Sequence, residues 1–210
     1  NRPVGALSYQ DKYGALGGQF IGPNEKVIYL TFDEGYENGY TASILDTLKA
    51  KGVQATFFIT GDYLNSQPEL VGRMIDEGHA VGNHTVNHPN LPQCSISRRA
   101  DEIGDLHDAV EEKYGYSMYL MRPPEGVFSE QVLAQAQGMG YQTVLWSFAY
   151  KDWDPSAQMS TSTALQKTTS ALHPGAIYLL HAVSKTNAAI LGDFIDTARQ
   201  KGYTFGILPR

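Results

Sequence analysis

The chain has 210 residues, enough for one domain of ordinary size with a sizeable core. Charged residues make up 18% of it and the formal net charge is −6, which argues against nucleic acid, whose phosphates need a basic face, and against an electrostatic membrane anchor. The lone cysteine, Cys94, allows no intrachain disulfide, and no apolar run reaches the roughly eighteen residues of a membrane-spanning helix.

No basic-then-apolar leader opens the chain at Asn1-Arg2-Pro3, so the expectation is a mature or trimmed form without its export signal. Residues 1–25 are Gly-rich and aperiodic and are expected to wrap the domain as an irregular arm; residues 26–210 read as one domain. Val27 to Phe32 is the first short apolar run, followed by a helical pattern over 39–51. Lys51-Gly52 precedes the run Val53 to Ile59, and a helix over 68–77 leads through Gly78 to His79–Gly82. A helix over 97–114 precedes Met118–Met121, and one over 129–139 precedes Tyr141–Trp146. Helices over 160–172 and 187–200 flank Ala176–Leu180, and Gly202 leads into Tyr203–Leu208. Glycine is the usual residue just past a helix, because it takes the left-handed conformation without a Cβ clash. Strands alternating with helices imply parallel βαβ units, about seven strands in all, as an incomplete β/α barrel or an open doubly wound sheet. The charge pairs Arg98-Arg99 and Glu111-Glu112 read as solvated helix faces. His79 reads as the start of a strand, His107 as an exposed mid-helix residue and His173 as a helix terminator, while Phe57, Phe58 and Trp146 read as core.

In a parallel β/α fold the active site lies at the C-terminal ends of the strands. Those positions hold Asp33-Glu34, Asn83-His84, Arg122-Pro123-Pro124, Trp146-Ser147 with Asp152-Trp153 beyond, and His181. Acids, imidazoles and a guanidinium thus gather at one end of the sheet. His84 and His88 are four apart, a spacing that puts two rings on one face of a helical turn. With an acid from Asp33-Glu34 they form a two-histidine, one-carboxylate set, common for zinc and similar ions. Two acids ending an apolar strand would be costly to desolvate without a cation.

These segments resemble, in order, the motifs of the polysaccharide deacetylases, also called the NodB-homology domain or carbohydrate esterase family four. They are Thr31-Phe32-Asp33-Glu34-Gly35, His84-Thr85-Val86-Asn87-His88, Arg122-Pro123-Pro124-Glu125-Gly126, Asp152-Trp153 and Ile177-Tyr178-Leu179-Leu180-His181. The resemblance implies the distorted, incomplete (β/α) barrel and a catalytic domain over 26–210. It implies Asp33 as the general base that activates the attacking water, and Glu34, His84 and His88 as ligands of one divalent metal, zinc first, with cobalt or manganese as alternatives. Arg122 would hold Asp33 ionised, His181 would protonate the departing amine, and Asp152 would tune His181, pair with Arg122, or both. Trp153 and Leu179 would wall the acetyl pocket, and the Glu125 N–H would help bind the oxyanion. Tyr36 either stacks on a sugar or packs the first loop.

Three positions depart from the family pattern: Glu34 stands where most members have Asp, Ala149 replaces the first Asp of the fourth motif, and Glu125 stands where an aromatic or basic residue is frequent. The phrases Thr31–Thr41, Gly126–Glu130 and His173–His181 resemble the delta-lactam-biosynthetic N-acetylmuramic acid deacetylases of spore-forming bacteria. The implied partner is a peptidoglycan glycan strand, the setting a secreted or envelope-associated bacterial protein, and the state a monomer. The rival expectations are an N-acetylglucosamine or chitin-type deacetylase, an O-acetyl esterase on xylan, and a carbohydrate-binding homologue that has lost catalysis. The muramic-acid reading requires Glu125 to point away from the substrate or to be neutralised, with Lys151 one candidate partner.

Overall fold

The computed structural model describes residues 1–210. In chain order the elements are α1 (Val4–Tyr13), β1 (Gly18–Gln19), β2 (Val27–Glu34), α2 (Thr41–Lys51), β3 (Thr56–Ile59), α3 (Gly61–Ser66), α4 (Pro68–Asp76) and β4 (Ala80–Asn83). Then come α5 (Ile96–Tyr114), β5 (Leu120–Met121), α6 (Glu130–Gly138), β6 (Gln142–Val144), β7 (Phe148–Ala149), α7 (Thr161–Ser170), β8 (Ala176–His181), α8 (Lys185–Gln200) and β9 (Thr204–Phe205). The strands lie in the order β1-β6-β5-β4-β3-β2-β8-β7, with β9 also on β2, and every pairing is parallel. One run of chain, 142–149, pairs with β5 at its start and with β8 at its end. That crossing curls the sheet into a distorted barrel rather than leaving it open.

Side chains alternate across each strand, and this sorts the whole core. Tyr29, Phe58, Ala80, Leu120, Val144 and Ile177 pack with Leu208 inside the barrel. Their neighbours Ile28, Leu30, Phe32, Phe57, Ile59, Val81, Met121, Tyr178 and Leu180 form a larger layer against the helices. Both faces of the strands are therefore apolar, as parallel sheets require. Inside the barrel space is short: a Cβ on Gly82 would lie 2.4 Å from Phe58 Cδ1. Continuing the inward row by two residues takes Thr31 to Asp33, Gly82 to His84, Leu120 to Arg122, Val144 to Trp146 and Leu179 to His181. Strand periodicity thus delivers the polar groups to one mouth of the barrel.

Each expected strand is present, most of them shorter than read, and β1 and β7 are additional two-residue strands. The arm is not irregular: it holds α1 and β1, and β1 extends the sheet beside β6. No periodicity announces this helix, because it has no apolar stripe; only Ala6 is buried. Arg99 does not belong to a solvated face, being buried on α5, whereas Glu111 and Glu112 are exposed. His107 is half-buried and bonds the Tyr141 hydroxyl at 2.6 Å rather than facing water. His173 is buried between the Ser147 hydroxyl and the Ala171 carbonyl.

Candidate active site

The mouth of the barrel opens into a cavity of about 720 Å³ lined by Asp33, Tyr36, Asp62, His84, His88, Glu125, Trp146, Trp153, Leu179 and His181, among others. Asp33 ends the inward row of β2 and lies over a buried guanidinium. Arg122 Nη1 donates to Asp33 Oδ1 at 2.9 Å and to the Thr31 hydroxyl at 2.8 Å. Its Nε and Nη2 are taken by the carbonyls of Val144 and Leu145, and its Cζ lies 4.4 Å from the Phe58 ring centroid. Arg122 is wholly buried and fixed from several sides, so it presents a stationary charge to Asp33. Burial alone would push the Asp33 carboxyl up; the Arg122 charge, with His84 and His181 nearby, outweighs it and holds Asp33 below the usual carboxylate range. An ionised carboxylate with one oxygen tied down and the other facing a cavity is a base ready to take a proton.

His181 lies across from it at the end of β8. Its Nδ1 is 2.7 Å from Asp152 Oδ1, and Asp152 Oδ2 accepts the His181 backbone N–H at 2.8 Å. This bond puts the proton on Nδ1 and leaves Nε2 for the cavity. Burial lowers the imidazole, but the hydrogen bond and charge of Asp152 more than restore it, so His181 stays protonated above its ordinary value. Asp152 therefore pairs with His181; Arg122 has no contact with it.

His84 and His88 meet in a loop, not on a helical turn. Thr85 and His88 both take left-handed backbone angles, φ 69° and 54°, and together fold the segment back on itself. The Thr85 hydroxyl accepts the His88 N–H at 3.1 Å, and Asn83 Oδ1 accepts the Thr85 N–H at 2.9 Å. The two rings end 4.8 Å apart. His84 Nδ1 is bonded to the Arg122 carbonyl at 2.7 Å, so its Nε2 carries the lone pair and lies 3.6 Å from Asp33 Oδ2.

A family model described as polysaccharide deacetylase matches residues 21–144. The chain is 46% identical to the peptidoglycan-N-acetylmuramic acid deacetylase PdaA of Bacillus subtilis, over 93% of its own length and 74% of that protein. The chain belongs to the polysaccharide deacetylase family. The solved structure of B. subtilis PdaA, a family 4 carbohydrate esterase, superposes with a TM-score of 0.91, covering 95% of this chain and 86% of that one at 43% identity. A peptidoglycan-N-acetylglucosamine deacetylase, PgdA of Listeria monocytogenes, is 36% identical over 86% of this chain and 37% of its own. The chain is thus a hydrolase of the carbohydrate esterase class with a NodB-type barrel, and its family implies dependence on a divalent metal.

The donors for that metal do not assemble as expected of this deacetylase. His84 and His88 offer two imidazoles, but Glu34 is absent from the cavity. Strand alternation turns its side chain to the helix face, where it is fully buried and accepts the Thr41 hydroxyl at 3.2 Å. Burial, aided by the Glu37 charge, pushes this carboxyl well above the usual range. No group of three His, Cys, Asp or Glu side chains is arranged to hold an ion. The expected set Glu34, His84 and His88 therefore does not fit such an ion.

Trp153, Leu179, Tyr36 and Glu125 all line the cavity. Glu125 is exposed, with a left-handed φ of 57°, and makes no ion pair; Lys151 lies instead by the Trp153 ring, 5.9 Å from its centroid. No ion pair neutralises Glu125, so of the two expectations for a muramic-acid substrate the one left is that its exposed side chain points away from the sugar. Trp146 lines the cavity as well as packing the core. Two further residues support the site: Thr31 ties Arg122 to the Tyr178 carbonyl, and Asn187 contacts Asp152. Thr31 lies inside the first motif and is inward by strand parity; Asn187 lies in none.

Proposed function

We propose that the protein hydrolyses the acetamido group of N-acetylmuramic acid in peptidoglycan glycan strands, a step that prepares the free amine for muramic delta-lactam formation. The observation that carries the chemistry is that Asp33, kept ionised by Arg122, and His181, kept protonated by Asp152, face one cavity. Asp33 takes the proton of the attacking water as the oxygen adds to the acetyl carbon. The Glu125 N–H is the donor proposed for the tetrahedral oxyanion. An amine leaves poorly without a proton, so His181 protonates the nitrogen as its bond to the acetyl carbon breaks. Trp153 and Leu179 wall the space for the acetyl methyl, and Tyr36 lies at the rim for a sugar face. We propose that the divalent metal implied by the family is zinc, with cobalt and manganese as alternatives, and that His84 and His88 would be the two donors this chain offers it.

The muramic assignment rests on likeness to PdaA over most of the chain. An exported, monomeric protein working on the cell envelope is consistent with such a substrate, and no helix is long and apolar enough to cross a membrane. One observation favours a second reading, N-acetylglucosamine. The cavity wall holds Asp33, Asp62 and Glu125 but no lysine or arginine, which opposes a lactyl carboxylate and tolerates a neutral sugar. Rates on peptide-free glycan strands and on chitin oligomers of matched length separate the two; faster turnover of chitin overturns the muramic assignment and leaves the deacetylase chemistry standing.

A further inference from the structure

Asn187 lies in the first turn of α8, buried, and belongs to none of the family motifs. Its Nδ2 donates to Asp152 Oδ2 at 2.6 Å and to the His181 carbonyl at 3.1 Å, and its Oδ1 accepts the Tyr150 hydroxyl. The orientation of the amide is forced. A carboxylate and a carbonyl only accept, so the NH2 must face them, leaving the oxygen for Tyr150. Its own N–H is fixed by the Ser184 hydroxyl at 3.0 Å, which caps the helix. Asp152 thereby receives three donors: the His181 backbone N–H and the Asn187 amide on Oδ2, and the imidazole on Oδ1. A carboxylate gripped on Oδ2 from two directions cannot rotate, and Oδ1 is left aligned with the ring.

We propose that Asn187, oriented by Tyr150, is a positioning residue that locks Asp152 and so aims His181 Nε2 into the cavity. Tyr150 lies just after β7 and Asn187 on α8, so the lock joins the two chain segments that flank β8. Buried polar groups of this kind matter through geometry. A reacting group displaced by about 1 Å can lose about a hundredfold in rate. A merely structural asparagine would affect folding alone.

The inference rests on His181 being the acid of the reaction, so His181→Ala is run in the same assay. Asn187→Asp is nearly isosteric and places an acceptor against Asp152 where a donor stood. Its expected result is a kcat lower by about tenfold to a hundredfold, a KM within about twofold of the parent, and an alkaline limb of kcat moved to lower pH, because two abutting buried carboxylates share one proton and Asp152 loses part of the charge that favours the imidazolium. The downfield proton resonance of His181 Nδ1–H shifts or broadens. Tyr150→Phe removes one hydroxyl and produces a smaller fall in kcat with the same change in that resonance. If both variants keep the parent kcat, pH profile and resonance while His181→Ala is inactive, the positioning role is overturned. If Asn187→Asp fails to fold, Tyr150→Phe decides by the same two readouts. If His181→Ala retains turnover, the acid assignment itself is what fails.

Discussion

Asp33 and Glu34 are adjacent in sequence and face opposite ways in the fold, and that fact governs the chemistry available to each. Asp33 enters the cavity over Arg122, while Glu34 enters the helix layer against Thr41. Asp33→Asn should keep the fold and substrate binding and lose about 10²–10⁴ in turnover, the usual contribution of a general base; half the parent turnover in the purified variant would remove Asp33 from that role. The pH profile follows from the same two environments. Asp33 must be ionised, and its carboxyl is held low, so activity survives acid until below the ordinary carboxylate range. His181 must be protonated, and it is held high, so activity is lost only as pH rises past the ordinary imidazole value of about 6.5. Titrating kcat checks both limbs; an acidic limb above the usual carboxylate range contradicts the Arg122 account. For the metal, Glu34→Gln should leave the bound-metal stoichiometry of the protein unchanged, whereas His88→Ala should lower it. Loss of metal in Glu34→Gln would show that Glu34 turns inward when the ion binds.

At the scale of elements, the strand is the unit that carries information. The inward rows from Thr31, Gly82, Leu120, Val144 and Leu179 each end on a cavity or support residue two positions later. Gly82→Ala forces a methyl against Phe58 Cδ1 at 2.4 Å and toward the Leu120 carbonyl at 3.2 Å. Overpacking of this kind costs about 1–3 kcal/mol, to be read as a lower midpoint in urea unfolding; an unchanged midpoint would mean the barrel interior yields. The apolar runs and their glycine stops made the βαβ order legible, because long-range packing there agrees with local preference. The strands β1 and β7 lie in no apolar run, unlike the equally short β5 and β9, so no pattern announces them. Helix α1 has no apolar face, and the loop over Thr85–His88 depends on left-handed residues that no periodicity announces. Motif order points to Asp33, His84, His88, Arg122 and His181, but it also puts Glu34 with the histidines, whereas Glu34 is buried against Thr41. Strand parity, applied to that pair of acids, points to opposite faces.

Taken whole, the molecule is a parallel barrel whose mouth holds the Asp33 carboxylate paired with Arg122, the His181 imidazole bonded to Asp152, and a wall without lysine or arginine. A negative net charge and a carboxylate-lined cavity do not draw in an anionic polymer from a distance. Recognition of a muramic strand would therefore rest on short-range contacts rather than on long-range attraction. The central claim, hydrolysis of the muramic acetamide by the Asp33–His181 pair, is tested most directly by mass spectrometry of peptide-free glycan strands after incubation with the protein. The account predicts loss of acetyl from the muramic residues with the parent protein and none with Asp33→Asn. Muramic residues that keep their acetyl groups while glucosamine residues lose theirs, or acetyl loss undiminished in Asp33→Asn, would contradict it.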